Sequence, residues 1–210
     1  MTRAAVIALL LALVAAPGAA AQERVLLTGD SMMEVLQRRL AADLRALGHE
    51  VQTDARVGSA LTKPWVVDWL RHAPRQVERI RPTLTIVWLG AGDVHAFRGV
   101  ARCCGDAWVA AYARRVRRLT VTYGRTLWLT LPVPVWPELA RVHRAVNRAL
   151  RRSGVPLVDL AARLAPHDRF HKRMRWDGVL RTIRARDGIH LSPWGSIMAS
   201  AIVADALGQA

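Results

Sequence analysis

Residues 25–48 read VLLTGDSMMEVLQRRLAADLRALG, and the fold turns on how that stretch divides. Val25–Leu27 is a short apolar run of strand type. Met32–Leu47 carries apolar residues at helical spacing, and Gly48 stops it. Between them Thr28-Gly29-Asp30-Ser31 makes a turn that ends where the helix starts. A strand, a tight turn and a helix in immediate succession open an alternating α/β chain.

The pattern continues outward. His49–Thr53 predicts a second strand, Val66–Ile80 a helix that stops at Pro82, and Leu84–Leu89 a continuous apolar strand. Ala107–Thr122 is helical, Thr126–Leu131 strand-like, Pro137–Arg152 helical with Gly154 as its stop, and Val155–Leu160 strand-like. Ser192-Pro193 supplies an N-cap and a first-turn proline for a last helix to about Leu207. Such alternation predicts a parallel sheet with helices on both faces. Only Ala161 to Gly188, a long Arg-rich connection, breaks the rhythm, and connections of that length are often functional.

Upstream of Val25 the chain changes character. Arg3 precedes an apolar run from Ala4 to Ala16, then Pro17, Gly18 and the small residues Ala19, Ala20 and Ala21. That is the layout of a secretory signal, and it predicts cleavage near Ala21. The run is shorter than the roughly 20 apolar residues a membrane span needs. Residues 1–21 are therefore read as a signal peptide, and 22–210 as one domain of a periplasmic or secreted protein without an integral span after cleavage.

With 52% apolar and 22% charged residues, the chain has the composition of a globular protein rather than a disordered one. Its net charge is +15, carried almost wholly by arginine: Lys63 and Lys172 are the only lysines. Such charge suits an anionic envelope surface. Export argues against nucleic acid as the partner. Cys103 and Cys104 are adjacent, so they can bridge to each other or between molecules but cannot clip a long loop. His167 and His171, four apart, lack the His-Glu-x-x-His pattern of a zinc site. No phosphate loop or dinucleotide fingerprint is present, and no metal or organic cofactor is implied.

The chemistry concentrates in three segments next to strands: Thr28-Gly29-Asp30-Ser31, Gly90-Ala91-Gly92-Asp93, and Asp187-Gly188-Ile189-His190 before the last helix. Open α/β sheets bind ligands outside the carboxyl ends of their strands, where the strand order reverses. Ser31, at a helix start, would meet amides and a dipole that favour developing negative charge. A serine nucleophile needs a base, and the base needs a partner to fix its tautomer. Asp187 and His190, three apart, can supply both. Among eight tryptophans, Trp88 and Trp128 read as core, whereas Trp65, Trp136, Trp176 and Trp194 lie near strand ends, where flat rings can stack on sugars.

Gly29-Asp30-Ser31 and Asp187-Gly188-Ile189-His190-Leu191-Ser192 resemble the first and last blocks of the SGNH (GDSL-type) serine hydrolases. Within these, the chain is similar to the exported bacterial DUF459 group, related to envelope O-acetyl esterases and acetyltransferases. Ala60-Leu61 to Pro64, Asp68-Trp69, Trp108 to Tyr112, Arg115, Leu131-Pro132, Asn147 and Val158-Asp159 extend the similarity over almost all of the mature chain.

The resemblance implies a three-layer, flavodoxin-like α/β fold with a five-stranded parallel sheet in the order 2-1-3-4-5. It implies Ser31 as nucleophile, His190 as general base and Asp187 as its orienting carboxylate. The Ser31 amide would be one oxyanion donor, and the amide of Gly58 or Ala60 a second. Asp30, Asp93, His95 and Trp194 are candidate substrate contacts. The implied substrate is an O-acyl, chiefly O-acetyl, ester of an envelope or extracellular polysaccharide. In the third block the family places an asparagine donor where this chain has Gly92. Loss of one such donor costs about a hundred- to a thousandfold in turnover. Either water, His95 or Arg98 compensates, or the chain is a weakened relative kept as a glycan-binding or assembly protein. If no donor compensates, Gly92→Asn is expected to raise turnover.

Overall fold

A computed structural model describes residues 22–97, 99, 100 and 103–208. The expected signal segment and Arg98 lie outside the described residues. Strand β1 (Arg24–Gly29) leads through Asp30 into helix α1 (Ser31–Ala46), and β2 (Glu50–Ala55) follows. The chain continues as α2 (Trp69–Ile80), β3 (Leu84–Trp88), α3 (Asp106–Tyr123), β4 (Thr126–Leu129), α4 (Pro137–Ser153) and β5 (Leu157–Val158). After the short α5 (Leu160–Leu164) come β6 (Arg173–Trp176), β7 (Val179–Thr182) and α6 (Pro193–Gly208).

The five main strands pair in parallel in the order β2-β1-β3-β4-β5. Helix α1 packs on α6, while α2, α3 and α4 pack side by side. The reversal of strand order after β1, with right-handed crossovers, sends these two groups to opposite faces. Central β3 is buried along its whole length, as a strand covered on both faces must be. Edge strand β2 instead buries only Val51 and Asp54 of its six residues.

The reversal places the ends of β1 and β3 side by side: Gly29 pairs with both Ala55 and Trp88. Gly29 has φ +151, and a Cβ there would run into the Trp88 carbonyl, so only glycine allows the two backbones to approach this closely.

Element boundaries depart from the sequence reading where polar side chains cap. Helix α2 begins at Trp69 rather than Val66, because Asp68 accepts the Leu70 amide while Val66 and Val67 bond back to the Lys63 carbonyl. Strand β5 keeps only two residues, since Asp159 caps α5 by accepting the Ala162 amide. The largest correction concerns Ala161 to Gly188. It is not structureless: it holds α5, a 3-10 turn and the antiparallel β6–β7 hairpin. In β6 the exposed Arg173 and Arg175 alternate with Met174 and Trp176, which pack against the core, but this pattern is only four residues long, and in β7 the neighbours Val179 and Leu180 are both exposed.

Candidate active site

Ser31 is the first residue of α1, so its amide has no intrahelical acceptor. Asp30 caps the helix: its Oδ1 accepts the Met32 amide at 2.9 Å. Its Oδ2 accepts the amides of Gly90 at 2.8 Å and Ala91 at 2.9 Å, and the Asp30 amide donates to the Trp88 carbonyl. Burial raises the Asp30 carboxyl to about 6, against the three amides that favour its charged form. Asp93 plays a parallel part. Its Oδ1 accepts the Thr62 amide at 2.7 Å and its Oδ2 the Tyr112 hydroxyl at 3.0 Å. The loops after β1, β2 and β3 are thus tied together by two buried carboxylates. Neither Asp30 nor Asp93 can touch a substrate, which corrects their reading as contacts: they are 1% and 0% exposed and bonded to the scaffold.

From the other end of the chain, His190 reaches the same place. Its Nε2 lies 2.8 Å from Ser31 Oγ, and its Nδ1 lies 2.6 Å from Asp187 Oδ2. Asp187 Oδ1 accepts the amides of Ile189 and His190 at 2.8 and 3.0 Å. Burial pushes the Asp187 carboxyl up, but the His190 ring and these amides outweigh it and hold the group below the ordinary carboxylate range. With Asp187 ionised, Nδ1 carries the proton and Nε2 is left to accept one from Ser31.

The loop that carries this pair is itself held. Trp136 Nε1 donates to the Asp187 carbonyl at 2.8 Å. Arg184, 1% exposed, donates to the carbonyls of Ile189 at 2.8 Å and Val133 at 2.5 Å. Sequence reasoning missed Arg184 because one arginine among so many carries no signal. It also missed His143, which lies buried with Nδ1 donating to the Pro132 carbonyl at 3.0 Å. Helical periodicity puts His143 on the buried face of α4 and is the one clue it left.

The amides of Gly58 and Ala60 have no hydrogen-bond partner among the described residues. Gly92 stands next to the clamped Gly90 and Ala91, and its φ lies outside the left-handed region. A Cβ on Gly92 would lie 3.4 Å from Lys63 Nζ. His95 is exposed, with its ring 5.3 Å edge-on from that of Trp65. Trp194 is 38% exposed and covered on one face by the Arg181 guanidinium, 3.9 Å from its centroid. Trp88 and Trp128 are fully buried. Cys103 and Cys104 are bonded to each other.

Cavities of about 580 and 630 Å³ lie elsewhere, along α2 and between α4 and α5, and neither is lined by Ser31 or His190. Among the described residues no cluster of three or more His, Cys, Asp or Glu side chains is placed to hold a metal, and no helix is long and apolar enough to cross a membrane. The Ser31–His190–Asp187 line can move a proton from a hydroxyl to an imidazole beside a helix N-terminus.

The family described as "Protein of unknown function (DUF459)" matches residues 24–206. No curated protein sequence matches the chain. Among solved structures, the periplasmic domain of a lipopolysaccharide acetyltransferase from Salmonella ser. Paratyphi A superposes with a TM-score of 0.63 at 13% identity, covering 89% of this chain and 84% of that one. An acetylxylan esterase from Geobacillus stearothermophilus, solved as a catalytic mutant, gives 0.53 at 14% identity over 89% and 94%. An alpha/beta hydrolase enzyme from the metagenome of Lake Arreo, Spain, gives 0.54 at 16% over 90% and 96%. At these identities the likeness is one of fold, and that fold is the SGNH type, with its five parallel strands in the order found here.

Proposed function

The chain belongs to the DUF459 family, and from the line Ser31–His190–Asp187 we propose that it is an exported serine esterase or acyltransferase acting on O-acetyl esters of envelope or extracellular polysaccharide. The observation that carries this reading is the 2.8 Å approach of His190 Nε2 to Ser31 Oγ, with Asp187 behind the ring. Two of the fold neighbours are an acetylxylan esterase and a lipopolysaccharide acetyltransferase, both of which handle acetyl groups on sugars. The basic, arginine-rich surface suits an anionic polymer, and the signal-like residues 1–21 support a site of action outside the cytoplasm.

Ser31 Oγ attacks the ester carbonyl carbon while its proton passes to His190 Nε2. The carbonyl π electrons move to oxygen, and the new anion is met by the Ser31 amide and that of Gly58 or Ala60. On collapse the bond to the sugar oxygen breaks, and His190 returns the proton to that oxygen. An acetyl-Ser31 ester remains. His190 then takes a proton from water or from an acceptor hydroxyl, whose oxygen attacks the acyl carbon; on collapse the bond from that carbon to Ser31 Oγ breaks, and His190 returns the proton to Oγ. Water makes the reaction hydrolysis, and a sugar hydroxyl makes it transfer. Asp187 steadies the imidazolium in both halves without itself taking the proton. No metal or organic cofactor enters these steps.

The test is hydrolysis of 4-nitrophenyl acetate and of acetylated xylan by the purified protein, with mass spectrometry of the residue labelled by a fluorophosphonate. Turnover that vanishes in Ser31→Ala, with the label on Ser31, is the expected result. A label on another serine overturns the assignment. Absence of both turnover and label in a folded protein that retains glycan binding would leave a binding module instead.

A further inference from the structure

We infer that the Lys63 ammonium is a catalytic residue, supplying the oxyanion donor that Gly92 lacks; the inference rests on the serine-esterase reading above. The loops after β2 and β3 meet at Lys63 and Gly92. On one side, the Gly90 and Ala91 amides are fixed to Asp30, the residue before Ser31. On the other, the Arg56 amide donates to the Gly29 carbonyl at 2.8 Å, and the Thr62 amide donates to Asp93. Both loops therefore border the turn that presents Ser31. Lys63 Nζ sits in contact with the point where a side chain on Gly92 would begin, 3.4 Å from the ideal Cβ.

Nothing else accounts for the ammonium. Among the described residues Lys63 Nζ has no hydrogen bond or ion pair, although the residue is half-buried. The carboxylates closest in sequence are engaged: Asp68 with the Leu70 amide and Arg71, Asp93 with Thr62 and Tyr112. Ser59, whose carbonyl lies 3.9 Å from the same point, has a buried hydroxyl without a partner among the described residues. Lys63 Nζ and the residue Ser59 thus bring unpartnered polar groups to the Gly92 end of the loop that Asp30 clamps. This is also one of only two lysines in a chain that otherwise uses arginine for positive charge. An ammonium is a compact donor on a flexible stem and can follow an oxygen as it becomes tetrahedral. A charged donor bonds an anion about twice as strongly as a neutral one does. In this role Lys63 only donates a hydrogen bond to the oxyanion.

The experiment is a cycle of Lys63→Met, Gly92→Asn and the double variant, assayed on 4-nitrophenyl acetate beside wild type and Ser31→Ala. Lys63→Met is expected to lower kcat about a hundredfold with little change in KM, since the contact forms only in the transition state. Lys63→Arg should keep more turnover than Lys63→Met. Gly92→Asn should raise turnover about tenfold or more in the Lys63→Met background, and give no gain where Lys63 already fills the space. Lys63→Ala with added methylammonium gives a second route, in which recovery is expected; it also serves if Lys63→Met does not fold. Ser31-dependent turnover that stays within threefold in Lys63→Met overturns the Lys63 role and leaves the esterase reading standing. Loss of turnover that neither Gly92→Asn in the double variant nor methylammonium restores assigns Lys63 a structural part and also overturns it. Wild type that shows neither turnover nor a Ser31 label overturns both.

Discussion

The carboxylate of Asp30 accepts the amide of Gly90 across the crevice between the ends of β1 and β3, 60 residues away in sequence. The residue before the proposed nucleophile thereby fixes both the start of α1 and the loop that carries Gly92. Position at this crevice comes from a buried acid, not from a substrate-facing one.

Asp30→Asn tests that role. An amide offers one oxygen where Asp30 uses both, so either Met32 or the Gly90–Ala91 pair would face an N–H donor instead of an acceptor. Leaving buried amides unsatisfied costs about 1–3 kcal/mol each. The expected outcome is a lower unfolding midpoint in urea and a fall in kcat larger than any change in KM. Unchanged kcat in Asp30→Asn would mean that the clamp does not set the site.

Asp187→Asn should leave the fold intact, because Oδ1 can still accept the Ile189 and His190 amides. It would place an N–H opposite His190 Nδ1, however, and so favour the tautomer that cannot accept from Ser31. A fall in kcat of about 10⁴-fold is expected, with thermal unfolding close to wild type. A loss under tenfold would show that Asp187 does not govern the tautomer.

How much of this was readable from sequence follows from the range of each interaction. The alternation of strand and helix and the Ser31, Asp187 and His190 positions rest on local signals: short apolar runs, turn glycines and caps within a few residues of one another. The β6–β7 hairpin escaped because its alternation lasts only the four residues of β6, where Met174 and Trp176 pack against the core, while Val179 and Leu180 of β7 are both exposed. Arg184, His143 and Lys63 escaped for another reason. Each acts on a group remote in sequence, 11 residues away for His143 and Pro132 and 51 for Arg184 and Val133, and sequence carries no measure of that proximity. Gly92 was visible as a departure, whereas the group standing over it was visible only in three dimensions.

Arg184 ties the Asp187–His190 loop to the segment after β4 through the Ile189 and Val133 carbonyls. Burial lowers its guanidinium to about 10, with the charge of Asp187 opposing. Lysine cannot span both carbonyls from one ammonium. Arg184→Lys is expected to destabilise the fold by about 2–4 kcal/mol and to slow fluorophosphonate labelling of Ser31. Labelling at the wild-type rate in a destabilised variant would separate Arg184 from the site.

Two buried groups impose opposite pH slopes on stability. Asp30 titrates at about 6 in the fold and at about 3.9 unfolded. The native state therefore holds an extra proton between those values, and the stability it contributes is full below about 4 and lost as pH rises through 6. Burial lowers His143 to about 4 against about 6.5 unfolded. Here the unfolded chain binds the extra proton, so the contribution is full above about 6.5 and lost as pH falls to 4. Each is worth about 3 kcal/mol across its window. Buried Asp93, raised, adds to the first trend, and His72, lowered by burial, adds to the second. The two trends oppose in wild type, and single substitutions should expose them. Relative to His143→Gln, whose amide can still donate to Pro132, wild type should gain about 3 kcal/mol between pH 4 and 6.5. Relative to Asp30→Asn, wild type should lose a similar amount between pH 4 and 6. Urea midpoints across that range give both differences. Curves that run parallel to wild type for both variants would mean that neither group is held as the fold implies.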